Sequence, residues 1–163
     1  MANAVIFIVF NKDKFSGKLT KFFTGSYAYH CGFYVPETDN MYDMNMLFRR
    51  LPNGKARYSS NQVVFIPCPV TITEDDLKAE IFSDVESFCD RNYVGSLYGF
   101  LDYIAFALKP AYHLFGKSTP NFDGQICSEK VNSLLVKAGW SSPFREVPSP
   151  ADFVQYFNVQ DPE

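Results

Sequence analysis

The sequence predicts an α+β domain in which an antiparallel β-sheet of meander type packs against helices. Three observations carry this. Short β-branched and aromatic runs separated by turn signals fill the chain as far as Pro67. From Thr73 onward apolar residues recur at helical spacing. The 163 residues suffice for one hydrophobic core and not for two. The composition is globular, 47% apolar with 17 Phe and 10 Tyr, too aromatic for a disordered chain. No internal repeat or linker interrupts it. The expectation is a single domain over 1–163, ending in a loose tail at 158–163.

The run 5–10 (VIFIVF) has no polar alternation and reads as a strand buried on both faces. After a turn at 11–14, Ser16 can cap a short helix to Phe23 that gathers Leu19, Phe22 and Phe23 on one side. Residues 27–35 (YAYHCGFYV) read as a second strand. Period two puts Ala28, His30, Gly32 and Tyr34 on one face, and Tyr27, Tyr29, Cys31 and Phe33 on the other. A turn over 36–40 returns the chain as a strand at 41–46, completing a hairpin with Met41, Asp43 and Asn45 on one face. Asn53-Gly54 marks a further turn, and 62–67 (QVVFIP) a third hairpin-type strand.

Thr73 then caps a helix whose first turn holds Glu74, Asp75 and Asp76, a favourable match to the helix dipole. Leu77, Ile81, Val85 and Phe88 repeat along it. A second apolar segment runs over 96–108 and stops before Pro110, and 120–125 is a loop. Helical spacing resumes with Val131, Leu134, Leu135 and Ala138, and Gly139 suits the position just past the helix end. Ser149-Pro150 opens a last short helix with Phe153, Phe157 and, at its third position, Asp152.

The net charge of −3 speaks against a nucleic-acid partner. The N-terminus has no basic region before its apolar run, and 93–108 carries Asp102 and falls short of the roughly 20 residues a membrane span needs. A cytoplasmic protein without signal peptide or transmembrane segment is expected. The cysteines at 31, 68, 89 and 127 are not spaced as zinc pairs, and a reducing compartment leaves them thiols. No metal or organic cofactor is implied.

Cys127 stands at the start of a predicted helix, after a Gly-containing loop. The partial positive charge and free N–H groups there stabilise a thiolate and can receive an oxyanion. A thiol nucleophile needs a base, itself oriented by a third polar group. His30, mid-strand between small neighbours, is the candidate base. Asp43 on the return strand can hold the far ring nitrogen, and Asn45 on the same face is the alternative orienting residue. His113 reads as a loop or helix-end residue. Cys31, Cys68 and Cys89 read as structural. On a regular strand Cys31 points away from His30, so the two are not expected at one site.

Four segments resemble, in order and across nearly the whole chain, the circularly permuted papain-like cysteine hydrolases (YiiX-like amidases, permuted NlpC-type). FSGKLTKFFTGSYAYHCGFYV is similar to that family's base-bearing strand with its preceding helix and turn. YVGSLYGFLDYIAFAL resembles its Tyr-rich apolar helix, ICSEKVNSLLVKAGW its nucleophile helix, and PSPADFVQYF its closing helix. The resemblance implies a permuted papain-like fold with Cys127 as nucleophile, His30 as base and a polar residue of the next strand as orienter. Glu or His is commoner there, and this chain offers Asp43. Many members are encoded by bacteriophages, so a viral source, and with it a host cytoplasm, would fit. The expected activity is hydrolysis of a peptide, amide or ester/thioester acyl bond. One rival is acyl transfer or lipid-acyl hydrolysis on the same fold, as in the distantly related lecithin:retinol acyltransferase, with 93–108 lining an acyl groove. The other is a non-enzymatic binding or virion-associated protein that retains the fold. The substrate and oligomeric state are not encoded legibly.

Overall fold

The computed structural model describes residues 2–12, 18, 21, 24–45, 47–90, 126–160 and 162, with 84 and 86–90 described in backbone only. It is an α+β structure with a five-stranded antiparallel sheet and three α-helices among the described residues. The strands are β1 (Val5–Phe10), β2 (Ala28–Val35), β3 (Asn40–Asn45), β4 (Leu47–Pro52) and β5 (Val63–Pro67). Their order across the sheet is β4-β3-β2-β1-β5.

β1 is unbroken by polar residues because both of its faces are covered. Ile6, Ile8 and Phe10 enter the main core, while Phe7 and Val9 enter a second cluster with Tyr34 and Met41. The second cluster is closed by Leu51, Tyr58 and Val63. The turn between β2 and β3 depends on Asp39 in the left-handed region (φ 52°), which Asp tolerates better than most residues. β3 then alternates, with Met41 in the second cluster and Tyr42 and Met44 in the main core.

Two features differ from the sequence-based expectation. β4 is an additional strand, paired along its length with β3 from Asn40↔Pro52 to Asn45↔Leu47. Its Arg49, Arg50 and Pro52 disguise it, and its position at the sheet edge is what tolerates them. β5 does not extend the meander from its neighbour in sequence. It crosses to the opposite edge and pairs with β1.

The helices are α1 (Glu74–Asp90), α2 (Cys127–Lys137) and α3 (Pro150–Tyr156). Leu77 of α1, Val131, Leu134 and Leu135 of α2, and Phe153 of α3 share the main core with Ile6, Phe33 and Tyr42. α2 ends as expected: Gly139 has φ 98°, its N–H bonds the Val136 carbonyl, and the Trp140 N–H bonds that of Leu135. α3 opens with a reciprocal cap, Ser149 accepting from the Asp152 N–H at 3.0 Å and Asp152 from the Ser149 N–H at 2.6 Å. Buried Lys130 of α2 reaches Glu80 of α1 at 2.8 Å, and Lys137 reaches the same carboxylate at 2.9 Å, so the two helices are tied by charge as well as by packing.

The helix expected over 16–23 falls largely outside the described residues. The apolar segment 93–108, His113, the loop 120–125 and the side chain of Cys89 lie outside them altogether. No described helix is long and apolar enough to cross a membrane.

Candidate active site

The site is assembled from β2, β3, β4 and the first residue of α2. On β2, Val9 pairs with His30 but Phe10 pairs with Ala28, so Tyr29 is the extra residue of a β-bulge. The consequence is visible in the burial: Ala28 and Cys31, three apart, both belong to the main core. A regular strand would put them on opposite faces. The bulge therefore resets the side-chain phase beside His30. From His30 onward the ladder is regular, so His30 and Cys31 alternate as expected, yet both lie close enough to Cys127 to shift its pKa, which corrects the expectation that the two cannot serve one site.

Cys127 is the first residue of α2, following Ile126 in extended conformation, which supplies no side-chain cap. The thiol and the backbone N–H of Cys31 lie beside its sulfur and favour charge on it. These contacts act with the His30 imidazolium to hold the Cys127 thiol well below its ordinary pKa, against the opposing effect of burial. Cys31 shifts the other way, pushed well up by burial and by the neighbouring sulfur charge.

His30 Nε2 lies 2.9 Å from Asp43 Oδ2. An ionised carboxylate only accepts, so Nε2 carries the proton it donates and Nδ1 is the nitrogen left for the thiol. Burial alone would disfavour charge on His30. The bonds to Asp43 and to the Cys127 sulfur outweigh it and raise the imidazolium pKa to about 10. Asp43 is itself buried, which would favour its neutral form. Donation from His30 and Arg49 prevails and keeps it below the usual carboxylate range.

Both candidate orienters on β3 are near the site, but only one reaches the imidazole. The β2–β3 ladder runs from Val35↔Asn40 to Gly32↔Asp43 and stops there. The terminal amide group of Asn45 faces Arg49 instead, and with its oxygen on that side it accepts from the two terminal guanidinium nitrogens at 3.2 and 3.1 Å. Two partners escaped the sequence reading, Cys31 as a neighbour that favours charge on Cys127 and Arg49 as a donor to Asp43. Arg49 could have been found from register alone, since it stands directly opposite Asp43 once β4 is recognised.

Cys68 fits a structural role. It is partly buried, and burial pushes its thiol up to about 12. Tyr29, at the bulge, is 41% exposed with its ring 6.3 Å from that of His30, and Phe7 flanks the imidazole at 6.0 Å. Among the described residues, no three His, Cys, Asp or Glu side chains converge as a metal site. Comparison of the chain with protein-family models, curated proteins and solved structures finds no match.

Proposed function

We propose that the protein is a thiol hydrolase of papain-like, circularly permuted design that cleaves an amide, peptide or ester/thioester acyl bond. The observation that carries this reading is a buried carboxylate 2.9 Å from the His30 imidazole, with the helix-start Cys127 close enough to that imidazole for each to shift the pKa of the other. That is the nucleophile, base and orienter arrangement that acyl transfer through a thioester needs. The order of His before Cys in the chain, and the four segments that resemble the permuted family, support the fold assignment.

In this mechanism the Cys127 thiolate adds to the substrate carbonyl carbon. The oxyanion of the tetrahedral intermediate meets the N–H groups at the start of α2. His30, protonated, gives its proton to the leaving nitrogen, oxygen or sulfur as the C–N, C–O or C–S bond breaks, leaving the acyl group on the Cys127 sulfur. Neutral His30 then takes a proton from water, which attacks the thioester and releases the acid. Asp43 holds the Nε2–H tautomer throughout and offsets the imidazolium charge.

Labelling the intact protein with a thiol-directed acylating probe at neutral pH, with peptide mass spectrometry, tests the reading. Cys127 should be modified ahead of Cys31, Cys68 and Cys89, and His30→Ala should slow it by about tenfold or more. Preferential labelling of Cys31 or Cys68, or a rate indifferent to His30, would refute it.

A further inference from the structure

Asp43 is 2% exposed, and its two oxygens face two cations. Arg49 Nε donates to Oδ1 at 2.7 Å, its terminal nitrogen reaches Oδ2 at 3.3 Å, and His30 takes the other side of Oδ2 at 2.9 Å. Behind the guanidinium, the Asn45 amide places one terminal atom 3.2 and 3.1 Å from its two terminal nitrogens, a hydrogen-bonded pair when that atom is the oxygen. From this geometry we infer that Arg49 is a positioning residue of the hydrolase, acting through Asp43, with Asn45 fixing the guanidinium in turn. The inference rests on the Cys127–His30 reading above.

The physical argument has two parts. A carboxylate bound at only one oxygen can rotate about its Cβ–Cγ bond, and the two-point guanidinium fork removes that freedom, aiming Oδ2 at the imidazole. The second part is charge. Cys127 sulfur, His30, Asp43 and Arg49 form a string of alternating sign, neutral overall. Without Arg49 the string carries a net negative charge in a buried place. The cheapest relief is protonation of Asp43, because burial already favours its neutral form. A neutral Asp43 no longer supports the His30 imidazolium, and the thiolate loses its counter-ion. Arg49 therefore protects the acid side of the activity range. Its effect at neutral pH is on orientation alone.

The experiment is iodoacetamide alkylation of Cys127 in the full chain across pH 4–9, with wild type, Arg49→Gln, Arg49→Lys and His30→Gln compared and their folding checked by circular dichroism. Arg49→Gln should move the acid limb of the profile upward by about one pH unit while changing the rate near pH 8 less than about threefold. Arg49→Lys, which keeps the charge and loses the fork, should fall between the two. A folded Arg49→Gln with a limb superimposable on wild type overturns the inference. If Arg49→Gln does not fold, a folded Arg49→Lys indistinguishable from wild type overturns it, and an intermediate limb supports it. His30→Gln separates the two levels. If it too leaves the profile unmoved, the Cys127–His30 reading has failed; if it moves the profile and the Arg49 variants do not, only the role of Arg49 has.

Discussion

Asp43 has no spare capacity, since one carboxylate serves an imidazole and a guanidinium from a position that is 2% exposed. Replacing it with Asn keeps the shape and removes the charge that holds His30 protonated. The imidazolium pKa, raised to about 10 in the folded protein, should fall, and the Cys127 thiol should rise with it, so alkylation at pH 6 should slow. Turnover on an activated ester should drop by about a hundredfold or more, with a smaller change in KM, because the lost interaction is made mainly in the transition state. Asn45→Ala should move the profile less, since its amide reaches only Arg49. Equal turnover in Asp43→Asn and wild type would remove Asp43 from the mechanism. That Cys127, His30 and Asp43 lie near one another was legible because each is a chemically distinctive residue in a recognisable local setting. Cys31 and Arg49 were not. In isolation one resembles a small core residue and the other a solvated edge cation, and only the pairing partners reveal them.

At the scale of elements, the hairpin of β2 and β3 carries both His30 and Asp43, and Gly32 sets how closely the two strands approach. A Cβ there would lie 2.3 Å from the Tyr42 carbonyl oxygen and 2.8 Å from the Phe7 ring. The close approach is made opposite Asp43, the Gly32 partner in the ladder. Gly32→Ala should therefore destabilise the fold by about 1–3 kcal/mol through overpacking and displace Asp43 from His30. Urea midpoints report the first effect, and slower Cys127 alkylation at pH 6 in the still-folded fraction reports the second. A variant that is destabilised but alkylates at the wild-type rate would show that hairpin spacing and site geometry are independent. The strands β1, β2 and β3 and the helices α2 and α3 were readable because period and caps are local signals. The bulge at Tyr29 was not, because it is a property of the pairing of β2 with β1, and neither strand alone records it. The crossing of β5 to β1 is likewise a choice among partners that its own five residues do not encode.

For the molecule as a whole, the joint between helices and sheet depends on a carboxylate that the sequence presents as a routine dipole partner. Glu74, first in α1, is buried, and its Oε1 accepts from Asn40 at 2.7 Å, Tyr42 at 2.8 Å and Thr38 at 2.9 Å, while Lys78 sits 3.3 Å from Oε2. It thus clamps α1 to the hairpin that carries Asp43. Burial would raise its pKa, but donation by Asn40, Tyr42, Thr38 and Lys78 dominates and holds it at about 2. A carboxyl whose pKa is depressed on folding stabilises the native state above its unfolded pKa, and that contribution is lost as pH falls through the folded value. With an ordinary value of 4.5, the shift corresponds to about 3 kcal/mol at neutral pH, with roughly half of it gone by pH 3. Asp43, Asp76 and Glu80 are lowered too and act in the same direction. Stability should therefore fall steadily on acidification below about pH 5, and Glu74→Gln should remove a large part of that slope. Urea unfolding at pH 7 and pH 3 measures it. The variant should be less stable than wild type by up to about 3 kcal/mol at pH 7 and by about half as much at pH 3. The pH profile of Cys127 alkylation should stay in place, because Glu74 touches none of the reacting groups. A destabilisation equal at the two pH values would mean that Glu74 acts by packing and neutral hydrogen bonds, and that the acid sensitivity of the fold lies with the other carboxylates.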